Sequence, residues 1–186
     1  MRSCLLLLLL FSCSIREDRI RIEPNVDIER EFHNNGKLSY ELVYKYGKLH
    51  GTSRTWDEEG NLISRIEYKN GILDGYWETY YTNGQLEREG NMDNDLEQGV
   101  WKYYYASGQL EKERLYVDGI MNGYETEYYE NGRKSSEGNR KNGLIDGLII
   151  WYYINGEISG KAYTINEMLE GEYIWYDEDG YMSERG

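Results

Sequence analysis

The chain has 186 residues and a formal net charge of -13, with Tyr at 20 and Gly at 21 against Phe at 2 and Pro at 1. Such an acidic chain is repelled by phosphate backbones, which excludes a nucleic-acid-binding body. A mean hydropathy of -0.81 with 39% hydrophobic residues excludes a large two-sided aliphatic core; the apolar material is largely tyrosine, whose ring packs while its hydroxyl stays wet.

The amino end opens Met1-Arg2-Ser3-Cys4, then six leucines, then Phe11-Ser12-Cys13-Ser14. A short positive stretch followed by an apolar run reads as a secretory signal. The run Leu5–Phe11 falls short of the ~20 apolar residues of a spanning helix, and no other segment comes near that length, so no transmembrane span is expected. Leu9-Leu10-Phe11-Ser12-Cys13 resembles a bacterial lipoprotein lipobox, with Phe11 bulkier than the usual residue there. The resemblance implies cleavage before Cys13, lipidation of Cys13, and a chain anchored to a membrane of the cell envelope, at the outer membrane or cell surface rather than in the cytoplasm. Both cysteines lie in this segment, so the remainder has no thiol for a disulfide or a metal site. The expected organisation is a signal peptide over 1–12, a charged tether over 13–30 containing Pro24, and a repeat domain over 31–186.

Glycine then recurs every 24 residues, as Gly36, Gly60, Gly84, Gly108, Gly132, Gly156, Gly180 and again as Gly51, Gly75, Gly99, Gly123, Gly147, Gly171. A fixed period of this size marks a repeat architecture, which offers an extended surface rather than one convergent pocket. Four residues before each member of the first series stands an aromatic residue: Phe32, Trp56, Tyr80, Tyr104, Tyr128, Tyr152, Tyr176. Two residues after it the position is apolar apart from Lys134: Leu38, Leu62, Leu86, Leu110, Ile158, Met182. Asn-Gly and Asp-Gly between strand-like segments predict hairpins with type I′ turns. The flanking Tyr, Trp, Thr and Ile suit strands, and no helical period appears. A second turn is expected in the Gly-x-x-x-Gly segment, as in Gly71–Gly75, with looser or differently bent connections at Asp95 and Glu167, where the first glycine is lost. A two-residue turn would pair Tyr81 with Leu86 and a longer one Tyr80, which decides whether a Tyr-Leu ladder lines one face. The fold class is all-β: an elongated single-layer antiparallel meander of seven 24-residue hairpin repeats, roughly 60 Å long at the usual strand spacing. Glu184 and Arg185 are suitable edge-strand charges.

The pattern NGxxxG, an aromatic strand, then YYxNGQL, as in Asn70–Leu86, resembles the MORN repeat, and more closely the bacterial MORN-variant repeats labelled antitoxin-like. The doubled tyrosines at Tyr80-Tyr81, Tyr104-Tyr105, Tyr128-Tyr129 and Tyr152-Tyr153 depart from the eukaryotic pattern. The resemblance implies an elongated single-layer sheet, a role in protein or membrane-lipid contact, and no shared enzymatic activity.

Chemistry offers little else. His33 stands at the doubled-tyrosine position of its unit and His50 at a turn position, so both read as repeat variants. Asp74, Asn122, Asp146 and Glu170 recur at one turn position, which fits Asx turn bonding, with a row of weak calcium sites as the alternative. No catalytic residue, metal or other cofactor is expected. The candidate binding surface is Trp56, Tyr80, Tyr81, Tyr104, Tyr105, Tyr128, Tyr129, Tyr152, Tyr153 and Tyr176. The expected function is a non-enzymatic scaffold lipoprotein that binds a protein partner through the aromatic, acidic face, monomeric and without affinity for nucleic acid. The alternatives are an immunity or antitoxin-type protein that neutralises a toxin, and a glycan-binding surface lipoprotein.

Overall fold

A computed structural model describes residues 17–186; the signal segment and Cys13 lie outside the described residues. The strands are β1 (Glu17–Glu23), β2 (Val26–Phe32), β3 (Leu38–Lys45), β4 (Lys48–Leu49), β5 (Gly51–Trp56), β6 (Leu62–Lys69), β7 (Ile72–Tyr80), β8 (Leu86–Asp93) and β9 (Leu96–Tyr104). They continue as β10 (Leu110–Val117), β11 (Ile120–Tyr128), β12 (Lys134–Lys141), β13 (Leu144–Ile145), β14 (Gly147–Tyr152), β15 (Ile158–Ile165), β16 (Met168–Tyr176) and β17 (Met182–Arg185). Among the described residues all are antiparallel and belong to one open 17-stranded sheet, in which successive strands pair except β4 with β5 and β13 with β14. The short β4 and β13 share β3 and β12 with β5 and β14. No helix of the described residues is long and apolar enough to cross a membrane.

The segment expected as a tether is a strand from Glu17 onward. Arg19, Ile20, Arg21 and Ile22 alternate with period two, which suits a pleated strand. Ile20 faces Ile28, and Asp27 receives both Arg19 and Arg21 at 3.5 and 3.2 Å.

The seven hairpins at the first glycine series carry a longer connection than type I′. Tyr80 pairs with Leu86, Tyr81 N–H donates to Gln85 O at 2.8 Å, and Gly84 N–H donates to Tyr81 O at 2.9 Å. Gly84 has φ +83, while Asn83 is not among the positive-φ residues. The turn is a three-residue loop closed by a left-handed glycine. Asn83 serves through its side chain, accepting from Gln85 N–H at 3.0 Å and donating to Ala106 O at 2.7 Å. The Tyr-Leu ladder follows from this register: Phe32 faces Leu38, Trp56 Leu62, Tyr80 Leu86, Tyr104 Leu110 and Tyr152 Ile158.

The type I′ geometry sits at the opposite edge of the sheet. Asn70-Gly71, with φ 57 and 89, joins Lys69 to its partner Ile72. Asn94-Asp95 and Asn166-Glu167 adopt the same conformation, with φ 51/65 and 51/64. These two connections are therefore not looser or differently bent: the aspartate and glutamate take the left-handed conformation themselves, at the steric cost a side chain meets there. The turn takes in only the first glycine of the Gly-x-x-x-Gly segment; Gly75, the second, is a bulge inside β7. Glu67 is skipped between the pairs Ile66–Trp77 and Tyr68–Leu73. Gly75 there has φ +126, and an added Cβ would lie 2.4 Å from Glu67 Oε2.

Hydrogen bonds between successive units hold both edges. At the type I′ edge, Asp95 N–H donates to Leu73 O at 2.9 Å and Gly119 N–H to Glu97 O at 2.9 Å. At the other edge the second tyrosine of each doublet reaches the next unit. Tyr81 donates to Tyr104 O and Tyr105 to Tyr128 O, each at 2.7 Å, and Tyr129 to Tyr152 O and Tyr153 to Tyr176 O, each at 2.6 Å. His33, in the same position of its own unit, contacts Trp56 O through Nε2 at 2.8 Å.

Candidate interaction surfaces of the sheet

Side chains alternate across the pleat, so the repeat builds two distinct faces. One bears the tyrosine–leucine ladder beside a row of charges. Along that row Arg30 faces Glu41, Glu41 faces Arg54, Arg65 faces Glu78, and Glu89 faces Lys102, which in turn faces Glu113. Ion pairs tie it laterally: Arg30–Glu41 at 2.7 Å, Arg54–Glu41 at 3.3 Å, Arg65–Glu78 at 2.6 Å and Lys102–Glu113 at 3.6 Å.

The candidate binding residues divide between two roles. Trp56, Tyr80, Tyr104, Tyr128, Tyr152 and Tyr176 come together as half-buried members of the ladder. Four of their hydroxyls are committed to glutamates of the same face: Tyr80 to Glu78 at 2.7 Å, Tyr104 to Glu89 at 2.5 Å, Tyr128 to Glu113 at 3.5 Å and Tyr152 to Glu137 at 2.5 Å. Tyr81, Tyr105, Tyr129 and Tyr153 stand at the hairpin edge with their hydroxyls on backbone carbonyls, so their first task is joining units.

The tyrosine–glutamate bonds shift the acidity of Tyr80, Tyr152, Glu89 and Glu137. Burial, then the bond to glutamate, pushes Tyr80 and Tyr152 up to about 12. Burial also works to raise Glu89, but hydrogen bonds from Tyr104 and Tyr76 outweigh it and hold its carboxyl below the ordinary value. Glu137 is held low by Lys134 first and by Tyr152 second.

Beyond the charge row the same face carries an exposed apolar row that sequence reading did not single out. It runs through Val100, Tyr124, Leu148 and Tyr163 on β9, β11, β14 and β15, which are 52, 57, 50 and 48% exposed. Leu148 and Tyr163 are direct cross-strand partners. Three of the four stand at one repeat position, which was the available signal; it was obscured because Thr52 and Glu172 fill that position in other units.

The opposite face is built of tryptophan and arginine. Trp101 has none of its surface exposed and lies across Gly90 of the neighbouring strand. Trp151 and Trp175 stack over Gly160, with ring centroids 5.0 Å apart and planes at 28°. Arg88 lies over Trp101 at 4.9 Å and Trp77 at 5.5 Å, and Arg114 binds Glu125 at 2.5 Å.

The turn acids show no metal-binding arrangement. Asp74 meets Lys69 Nζ at 3.2 Å, and among the described residues no group of three or more His, Cys, Asp or Glu could hold a metal ion.

A comparison with curated proteins gives no match. The family model described as "MORN repeat variant" matches residues 28–46, 49–70, 73–94, 97–118 and 121–142. Repeats of this kind are commonly protein- or membrane-binding modules and generally non-enzymatic. The match takes in five successive hairpin units and more than half of the chain, and the chain belongs to the MORN repeat variant family.

Proposed function

We propose that this protein is a non-enzymatic scaffold of a bacterial cell envelope, lipid-anchored through Cys13, that holds a partner protein against the face bearing the tyrosine ladder. The observation that carries the reading is the row Val100, Tyr124, Leu148 and Tyr163, each about half exposed on a sheet whose described strands pack chiefly against their neighbours in sequence. An exposed apolar row rimmed by charge is the kind of surface that partners bury. The lipobox supports the anchor, since two or more acyl chains bind a membrane stably, at ~0.8 kcal/mol per buried CH₂. The chain carries a formal net charge of -13, so a partner with basic residues around an apolar strip fits it best.

The test is photocrosslinking in intact cells. A crosslinking phenylalanine analogue at Tyr124 is expected to give one discrete protein adduct that Leu148→Glu removes, while the same analogue at Ile120, near a hairpin end, gives none. No adduct at Tyr124, or equal adducts at both positions, refutes the reading. The anchor is read separately, as loss of fatty-acid labelling in Cys13→Ser.

A further inference from the structure

On the tryptophan face, Tyr103 is surrounded by three cations of its own chain. Arg88 lies 6.0 Å from its ring centroid, and Lys112 and Arg114 each 5.7 Å. Arg88 lines a cleft with Trp77, Trp101, Asp95 and Glu97, and its Nη1 is 3.8 Å from Glu97 Oε1. Here the protein fills an aromatic cleft with its own guanidinium, held by ring faces and a carboxylate.

Three units further along, the same positions keep the rings and lose the cations. Trp175 stands for Tyr103 and Tyr173 for Trp101, while Gly160 replaces Arg88, Glu184 replaces Lys112 and Gly186 replaces Arg114. Glu167 takes the place of Asp95. A cleft persists, lined by Trp151, Ala162, Tyr173, Trp175, Glu167 and Glu184. Arg140 reaches Glu167 at 3.9 Å, but its Nε is bonded to Glu125. Lys161 pairs with Ile150 and Ile174 and lies on the opposite face.

We infer that this cleft is a binding site for the guanidinium of an arginine side chain presented by an extended segment of a partner protein. The faces of Trp151, Trp175 and Tyr173 attract a cation, and the Glu167 and Glu184 carboxylates accept its N–H groups. A quaternary ammonium has no N–H to give them, and the point charge of lysine lacks the planar fork that stacks and bonds at once. The site lies on the face opposite Tyr124, so it stands or falls independently of the crosslinking experiment.

The test is fluorine NMR of the full-length chain labelled with 5-fluorotryptophan. The probes are a blocked Gly-Arg-Gly peptide, its citrulline analogue and tetramethylammonium. The arginine peptide is expected to shift the Trp151 and Trp175 resonances saturably and leave Trp56 in place, and the citrulline peptide to shift neither. The double variant Glu167→Gln/Glu184→Gln should weaken binding about tenfold, the size of a lost charge-assisted hydrogen bond, with an unmoved Trp101 resonance reporting an intact sheet. Absence of a saturable shift, equal response to citrulline, or undiminished affinity in the double variant overturns the site. Tetramethylammonium binding as tightly as the arginine peptide overturns the arginine assignment.

Discussion

Trp101 covers Gly90 so closely that a Cβ at residue 90 would lie 2.2 Å from the indole Cδ2. A glycine in mid-strand loses chain entropy and offers no side chain to pack, and an aromatic ring from the next strand offsets that loss. In a one-layer sheet this cross-strand lid does the work that a second layer does elsewhere. Gly90→Ala is expected to destabilise by about 1–3 kcal/mol through overpacking. Trp101→Ala should cost about 3–5 kcal/mol, as for a large buried aromatic truncated to alanine. Urea unfolding followed by circular dichroism reads both; a Gly90→Ala protein as stable as the parent would show that the ring moves aside without cost.

The tyrosine rungs at the hairpin edge give a smaller and more local effect. Tyr105 donates to Tyr128 O at 2.7 Å, and Tyr105→Phe removes that donor while keeping the ring. The expected loss is about 1 kcal/mol, that of one hydrogen bond. Amide exchange should quicken in the hairpin that follows Tyr128. Tyr163→Phe, on an exposed ring, serves as the control and should leave stability unchanged.

The repeat was legible because an unbroken 24-residue spacing leaves little freedom in how hairpins stack. The turn types were not, because both edges carry Asx-Gly dipeptides. The distinguishing signal lay in the residue before each glycine. At the first series it includes Glu59 and Ser107, which resist positive φ. At the other edge the first turn position, followed by glycine except at Asn94-Asp95 and Asn166-Glu167, holds Asn70, Asn94, Asp118, Asn142 and Asn166, types that accept it. How far the second turn extends into the Gly-x-x-x-Gly segment is not legible, because a bulge and a turn make the same demand for left-handed glycine. The tryptophan face is not legible as a face for a different reason. Its rings at Trp77, Trp101 and Tyr173 alternate in sequence with Glu125 and Ile149, and only the strand register shows that Arg88 and Arg114 come from adjacent strands to cover them.

Tyr46 is the exception in the type I′ series, a bulky residue at φ 52 with 72% of its surface exposed. Tyr46→Asn recreates the Asn-Gly dipeptide of the next unit and gives up little packing. Relief of the left-handed strain should stabilise the fold by about 0.5–1 kcal/mol, raising the melting temperature by about 1–4 °C in a chain of this size. A lower melting temperature would mean that the exposed ring packs in a way its position does not reveal.

Alkaline titration probes the tyrosine–glutamate bonds of the ladder face. The Tyr80 and Tyr152 hydroxyls are pushed from 10.0 up to about 12, by burial first and by Glu78 and Glu137 second. A raised native value means that the folded chain holds these protons more tightly than the unfolded one. Their contribution is therefore complete below pH 10 and is lost as pH rises through 12. Urea midpoints should fall across that window in the parent and fall less steeply in Tyr80→Phe/Tyr152→Phe, which has no such protons to lose. Parallel slopes in the two proteins would show that neither phenol is coupled to folding, and that the glutamates hold the ladder without help from the hydroxyls.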